Sequence, residues 1–130
     1  MAGALKPSSR PLSPHLQVWR WHVTMATSIL HRASGVALYL GAIGFAIWVM
    51  ALASGPQAYA PVDWFLTSLL GQLSLYGFSV AISYHLANGI RHLVWDTGRG
   101  LTPATADASG WFVIVFALVA PIGVWALANI

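Results

Sequence analysis

Residues 29–53 read ILHRASGVALYLGAIGFAIWVMALA, and no charged side chain follows Arg32 in that run. A helix rises 1.5 Å per residue, so about 20 apolar residues carry it across the ~30 Å hydrocarbon core of a bilayer. The run is long enough to do so. Two further apolar blocks, 64–93 and 111–128, repeat the pattern. The reading is an all-α membrane protein with three transmembrane helices. Residues 1–28 form an N-terminal cytoplasmic or interfacial segment, and residues 29–130 form a three-helix anchor domain.

Composition points the same way. Of the 130 residues, 58% are hydrophobic and 7% charged, whereas soluble domains carry roughly 25% charged residues. The mean hydropathy is +0.70. No room remains for a soluble domain, and a net charge of +3 needs no nucleic-acid partner. The chain has no cysteine, which excludes disulfides, thiolate metal sites and thiol chemistry.

The block edges carry stop and start signals. Ser54-Gly55-Pro56 ends the first block, and Pro61-Val62-Asp63 restarts the second with Asp63 as N-cap. Gly98 and Gly100 break the chain after Asp96, and Asp107 or Ser109 caps the third helix. Pro121 falls inside that helix, where a membrane span tolerates a kink if neighbours satisfy the freed carbonyl.

Lys6, Arg10, Arg20 and Arg32 lie before or at the start of the first span, and Arg91 and Arg99 flank the second connection. Positive charge stays inside, so the N-terminus and loop 97–108 are expected in the cytoplasm or matrix and the C-terminus outside. The N-terminal segment has no apolar run, so the first span is its own insertion signal. With only Lys6 and Arg10 before the first motif, no long Arg- and Ser-rich presequence is expected, which favours a bacterial inner membrane over a mitochondrial one.

His15, His22, His31, His85 and His92 all fall on the cytoplasmic side of this map or at depth near it. The second block ends YHLANGIRHLVWD, residues 84–96. There His85 lies about two helical turns inward from Arg91 and His92, where an unpartnered imidazole leaves a polar nitrogen in hydrocarbon. It is either a hydrogen-bonded packing residue or an axial ligand to haem iron, and Gly89, one turn along, leaves room for a flat macrocycle. His92 is seven residues on, roughly 10 Å along the axis, too far to bind the same iron from the same helix. A second axial ligand must then come from another chain. His92 and Asp96, four apart, suit a structural pair or a proton path.

SILHRASG, residues 28–35, forms a second constellation. Ser28 and Arg32 share a helix face and can bind the carbonyl of a small amphipathic ligand, while Arg32 or His31 can hold carboxylates. Alternatively Arg32 snorkels as a topology anchor and Ser28 caps locally.

RPLSPHL (10–16), SILHRASG and HLANGIRHLVWDTG (85–98), in that order, resemble the cytochrome b membrane-anchor subunit of succinate dehydrogenase, respiratory complex II. The resemblance implies that His85 is the axial ligand of haem b, the opposite ligand coming from a second membrane-anchor subunit. It places Ser28 and Arg32 at the ubiquinone site, and His31, Arg32 and His92 around the haem propionates. Asp96 and Arg91 match positions near the quinone pocket and the iron-sulfur subunit. Succinate would be oxidised on a flavoprotein subunit, with electrons passing through the iron-sulfur subunit to ubiquinone. The alternatives are a haem-free structural anchor, or a fumarate reductase anchor running in reverse with menaquinone.

Overall fold

His22 is extended, and its carbonyl accepts the N–H groups of Met25 and Ala26. From Val23 the chain runs as one helix, α1 (Val23–Ala53). The structure, a computed structural model, describes residues 18–128. Because α1 begins before the first apolar block, the end of segment 1–28 is helical, and Ser28, His31, Arg32 and Ser34 ride on one continuous helix. It stops where the sequence says. Ser54 donates its N–H to the Met50 and Ala51 carbonyls, and Gly55 takes φ 97°, a conformation that residues with a Cβ rarely adopt. Pro56 then opens α2 (Pro56–Thr67), at a position where its missing N–H is not needed.

The second block departs from expectation. Asp63 is not an N-cap but lies inside α2, and the break falls at Ser68, which is extended at ψ 158°. There α3 (Leu69–Asp96) begins, bent 77° away from α2. Polar groups freed at the bend are satisfied locally. The Ser68 hydroxyl accepts the Gly71 N–H at 3.1 Å, and the Gln72 side-chain amide donates to the Leu66 carbonyl at 2.7 Å. Gly71 has no room for a side chain, because a Cβ would collide with the Phe65 carbonyl.

The far end of α3 closes as expected, with Gly98 at φ 76° donating its N–H to the Trp95 carbonyl at 2.8 Å. Helix α4 (Pro103–Ala128) starts earlier than its expected caps. Pro103 is its first residue, the Thr102 hydroxyl accepts the Thr105 N–H at 3.4 Å, and Asp107 and Ser109 lie within the helix. Pro121 lies inside α4, where it removes the donor to the Ala117 carbonyl; one residue on, the Leu118 carbonyl accepts from the Tyr76 hydroxyl of α3 at 3.2 Å.

Helix α3 packs against the other three. Few apolar side chains are buried: Tyr84, Val113, Ala117 and Pro121 among the described residues. The largest fully buried side chains are Val113, Asn88 and Thr27, so two of those three are polar. Large apolar residues such as Leu40, Phe45, Leu86 and Trp125 point outward. This inversion is what lipid selects, since helices in hydrocarbon gain nothing from hiding leucine and associate through small residues and interhelical hydrogen bonds. Gly110 is such a small contact: a Cβ there would touch Val23 of α1 at 3.4 Å. Helices α1 and α4 are each long and apolar enough to cross a membrane, and the bent α2–α3 pair is a third crossing if taken as one span.

Candidate functional site

The N-terminal part of α1, the C-terminal part of α3 and the start of α4 meet at one end of the bundle, and Arg91 joins them. Its side chain is only 6% exposed. Nε donates to Ser109 Oγ on α4 at 2.9 Å, and one terminal nitrogen reaches Thr27 Oγ1 on α1 and Asn88 Oδ1, both at 3.2 Å. The other terminal nitrogen donates to the Ala106 carbonyl at 2.8 Å, and the guanidinium stacks on Trp95 at 4.0 Å. Tyr84 adds a second tie between α3 and α1, donating to the Thr27 carbonyl at 2.8 Å. The resemblance matches Arg91 to a position near the quinone pocket and the iron-sulfur subunit; its guanidinium turns into the bundle, where nearly all its donors are used.

Asn88 passes this arrangement on to His92. Arginine has no acceptor, so the Asn88 oxygen faces Arg91 and its NH₂ must donate to His92 Nε2, 3.2 Å away. His92 therefore pairs with the residue four before it, not with Asp96 four after it. The pair suggested by spacing does not form, and Asp96 is exposed at the end of α3.

Three histidines gather beside this knot. His31 of α1 stacks on His85 of α3 with ring centroids 4.0 Å apart and an interplanar angle of 14°, and lies 5.2 Å from His92. His85 Nδ1 is 3.0 Å from Ser34 Oγ, which donates to the His31 carbonyl at 2.8 Å. His31 Nδ1 is buried and has no hydrogen-bond partner. His22 precedes α1 and is exposed, and His15 lies outside the described residues.

These features fit one axial haem ligand from this chain. His85 is held by Nδ1 alone, which leaves Nε2 for a metal. Gly89, one turn away, faces open space: a Cβ there would meet nothing within 4 Å. His31 stacks on the face of His85 with its own Nδ1 buried and, among the described residues, unpartnered. Among the described residues no group of three or more His, Asp or Glu could hold a metal by itself.

Ser28 and Arg32 behave differently from Arg91. Ser28 is half-buried and Arg32 exposed, and neither makes a hydrogen bond among the described residues. They stand one turn apart on α1, beside the histidines. The structure thus brings Ser28, His31, Arg32, His85 and His92 to one end, with Asp96 at its edge. Sequence reasoning missed Thr27, Ser34, Asn88 and Ser109. For Asn88 a signal existed, since it is three residues from Arg91 and four from His92; nothing local pointed to Thr27 or Ser109, whose partners are on another helix.

Comparison with known proteins places nearly the whole chain in one family. Residues 6–124 match the family described as succinate dehydrogenase/fumarate reductase transmembrane subunit. The succinate dehydrogenase cytochrome b556 subunit of Paracoccus denitrificans is 41% identical over 111 residues, 85% of each chain. That of Rickettsia felis is 35% identical over 118 residues, 91% of this chain and 92% of its own. The mitochondrial cytochrome b560 subunit of Sus scrofa is 36% identical over 124 residues, 92% of this chain and 72% of its own.

Proposed function

Because the chain belongs to the succinate dehydrogenase/fumarate reductase transmembrane subunits, as a cytochrome b anchor of complex II in a bacterial or mitochondrial inner membrane, we propose that it binds haem b through His85 and forms part of a ubiquinone-reduction site with Ser28 and Arg32. The observation that carries the reading is the half-buried His85, anchored by one nitrogen only, beside the open space at Gly89. The second axial ligand comes from a second membrane-anchor subunit. The flavoprotein and iron-sulfur subunits dock at the histidine end, where Asp96 is exposed. The named relatives are succinate dehydrogenase subunits, which favours succinate oxidation over the reverse direction.

When bound, haem b supplies a reversible one-electron centre within the membrane. This chain's own residues position and polarise. His31, stacked on His85 and 5.2 Å from His92, and His92 itself can hold the propionates, His92 through its Nδ1–H, since Nε2 accepts from Asn88. Arg32 and Ser28 keep free donors for a quinone carbonyl. Charge builds on that oxygen during reduction, so a fixed guanidinium there stabilises the transition state more than the ground state. Ser28 adds a directional hydrogen bond. In this arrangement α1, α3 and α4 cross the membrane with the N-terminus inside and the C-terminus outside, because no Lys or Arg occurs between Ala33 and Ile90.

The tests are direct. The purified complex should give a pyridine haemochrome spectrum of haem b, and His85→Ala should abolish or alter its low-spin bands while His22→Ala leaves them intact. A complex without haem overturns the assignment of His85. A reporter active only outside the inner membrane should work when fused to Ile130 and fail when fused at Gly100; the opposite pattern reverses the topology.

A further inference from the structure

Ser34 is the side chain that links the α1 backbone to the His85 ring. Its Oγ is 2.8 Å from the His31 carbonyl oxygen and 3.0 Å from His85 Nδ1, and the residue is 8% exposed. A neutral imidazole carries one proton and one lone pair. A metal on Nε2 uses the lone pair there, so the proton must sit on Nδ1, and Ser34 Oγ must accept it. The hydroxyl then needs an acceptor for its own hydrogen. The His31 carbonyl stands where that hydrogen must go.

We propose that Ser34 is the positioning residue for the haem ligand: a chain from His85 Nδ1–H to Ser34 Oγ–H to the His31 carbonyl fixes the tautomer and the ring plane of His85. The inference rests on the haem reading of His85 given above. Its physical content is the usual role of a metal ligand's outer partner, which orients the ring and strengthens it as a donor. A stronger donor favours the ferric iron. Ser34→Ala removes the acceptor and leaves a buried N–H unpaired, so the imidazole donates less and turns more freely. Ser34→Thr keeps the hydroxyl, and Ser34→Cys keeps only a weak acceptor of similar size.

The experiment uses the assembled complex and reads the haem, not turnover. Redox titration of the haem bands gives its midpoint potential, and transfer to excess apomyoglobin times its release. Ser34→Ala is expected to raise the midpoint potential and to speed haem release roughly tenfold or more. Ser34→Thr should match the parent, with Ser34→Cys between. A purely structural role for Ser34 would lower the yield of complex and leave the potential of what assembles unchanged, and that result overturns the proposal. If Ser34→Ala does not assemble, the cysteine variant decides: a raised potential supports the chain, and the parent's potential overturns it. A parent complex lacking haem overturns the haem reading itself and this inference with it, an outcome distinct from a haem-bearing parent whose potential ignores Ser34.

Discussion

Arg91 and Arg32 sit at the same end of the bundle and could hardly be used more differently. Arg91 spends its donors on Thr27, Asn88, Ser109 and the Ala106 carbonyl, drawn from all three long helices. Arg32, one turn beyond Ser28, makes no hydrogen bond among the described residues. A buried cation persists only where neighbours replace the water it lost, so Arg91 holds the fold. An exposed cation at the same depth keeps its donors for something that comes from outside. Of two arginines in two family-like motifs, one uses its donors within the bundle and the other keeps its donors free among the described residues.

The comparison can be broken, beginning with its largest expected effect. Arg91→Leu leaves several buried neutral acceptors without a donor and should destabilise the bundle by about 1–3 kcal/mol for each one that stays unsatisfied. The amount of assembled complex in membranes, measured by haem or by subunit blot, should fall at least tenfold, while turnover of the complex that does form stays near normal. Arg91→Lys should rescue little, because an ammonium cannot span the same fork of acceptors. Arg32→Leu should do the reverse: normal assembly, but quinone reduction per complex lowered by about 3 kcal/mol, or about two orders of magnitude. Succinate oxidation with a soluble artificial acceptor should be unaffected. If both activities fall with assembly, Arg32 is an anchor like Arg91.

Two smaller effects sharpen the contrast. Thr27→Val keeps the volume of the side chain but removes one acceptor from Arg91, and should lower thermal stability of the complex by about 1 kcal/mol without changing quinone kinetics. Ser28→Ala, one residue on, should leave the melting temperature in place and slow quinone reduction about fivefold, the equivalent of roughly 1 kcal/mol for a neutral hydrogen bond. Adjacent substitutions with opposite readouts would place the dividing line between structure and site within a single helical turn.

Hydropathy carried the long helices because a bilayer imposes one length scale on any spanning segment, and 29–53 meets it without interruption. The motif 85–98 similarly announced a histidine at depth. The elbow at Ser68 was not legible, because two hydroxyl residues, Thr67-Ser68, are a dip that an uninterrupted membrane helix also tolerates, while the bend brings Gly71 against the Phe65 carbonyl, a contact the sequence does not announce. The partner of His92 was not legible either. Helical spacing offers Asn88 and Asp96 equally, and what selects Asn88 is that Arg91 occupies its oxygen. That choice is made by a side chain whose own direction depends on α1 and α4.

The elbow also sets how deeply the protein is immersed. Helix α3 has 28 residues, about 42 Å of length against ~30 Å of hydrocarbon. If α3 alone crosses, in the orientation proposed above, its 77° junction with α2 would act as a collar on the outer side and oppose lengthwise sliding of α3. The surplus, roughly 12 Å or two turns, would then emerge on the inner side, and the last two turns of α3 carry Arg91, His92 and Asp96. A thinner bilayer would push this end farther into the headgroup region and a thicker one would draw it down. The collar at Ser68 thereby makes the wetness of the histidine end a function of membrane thickness.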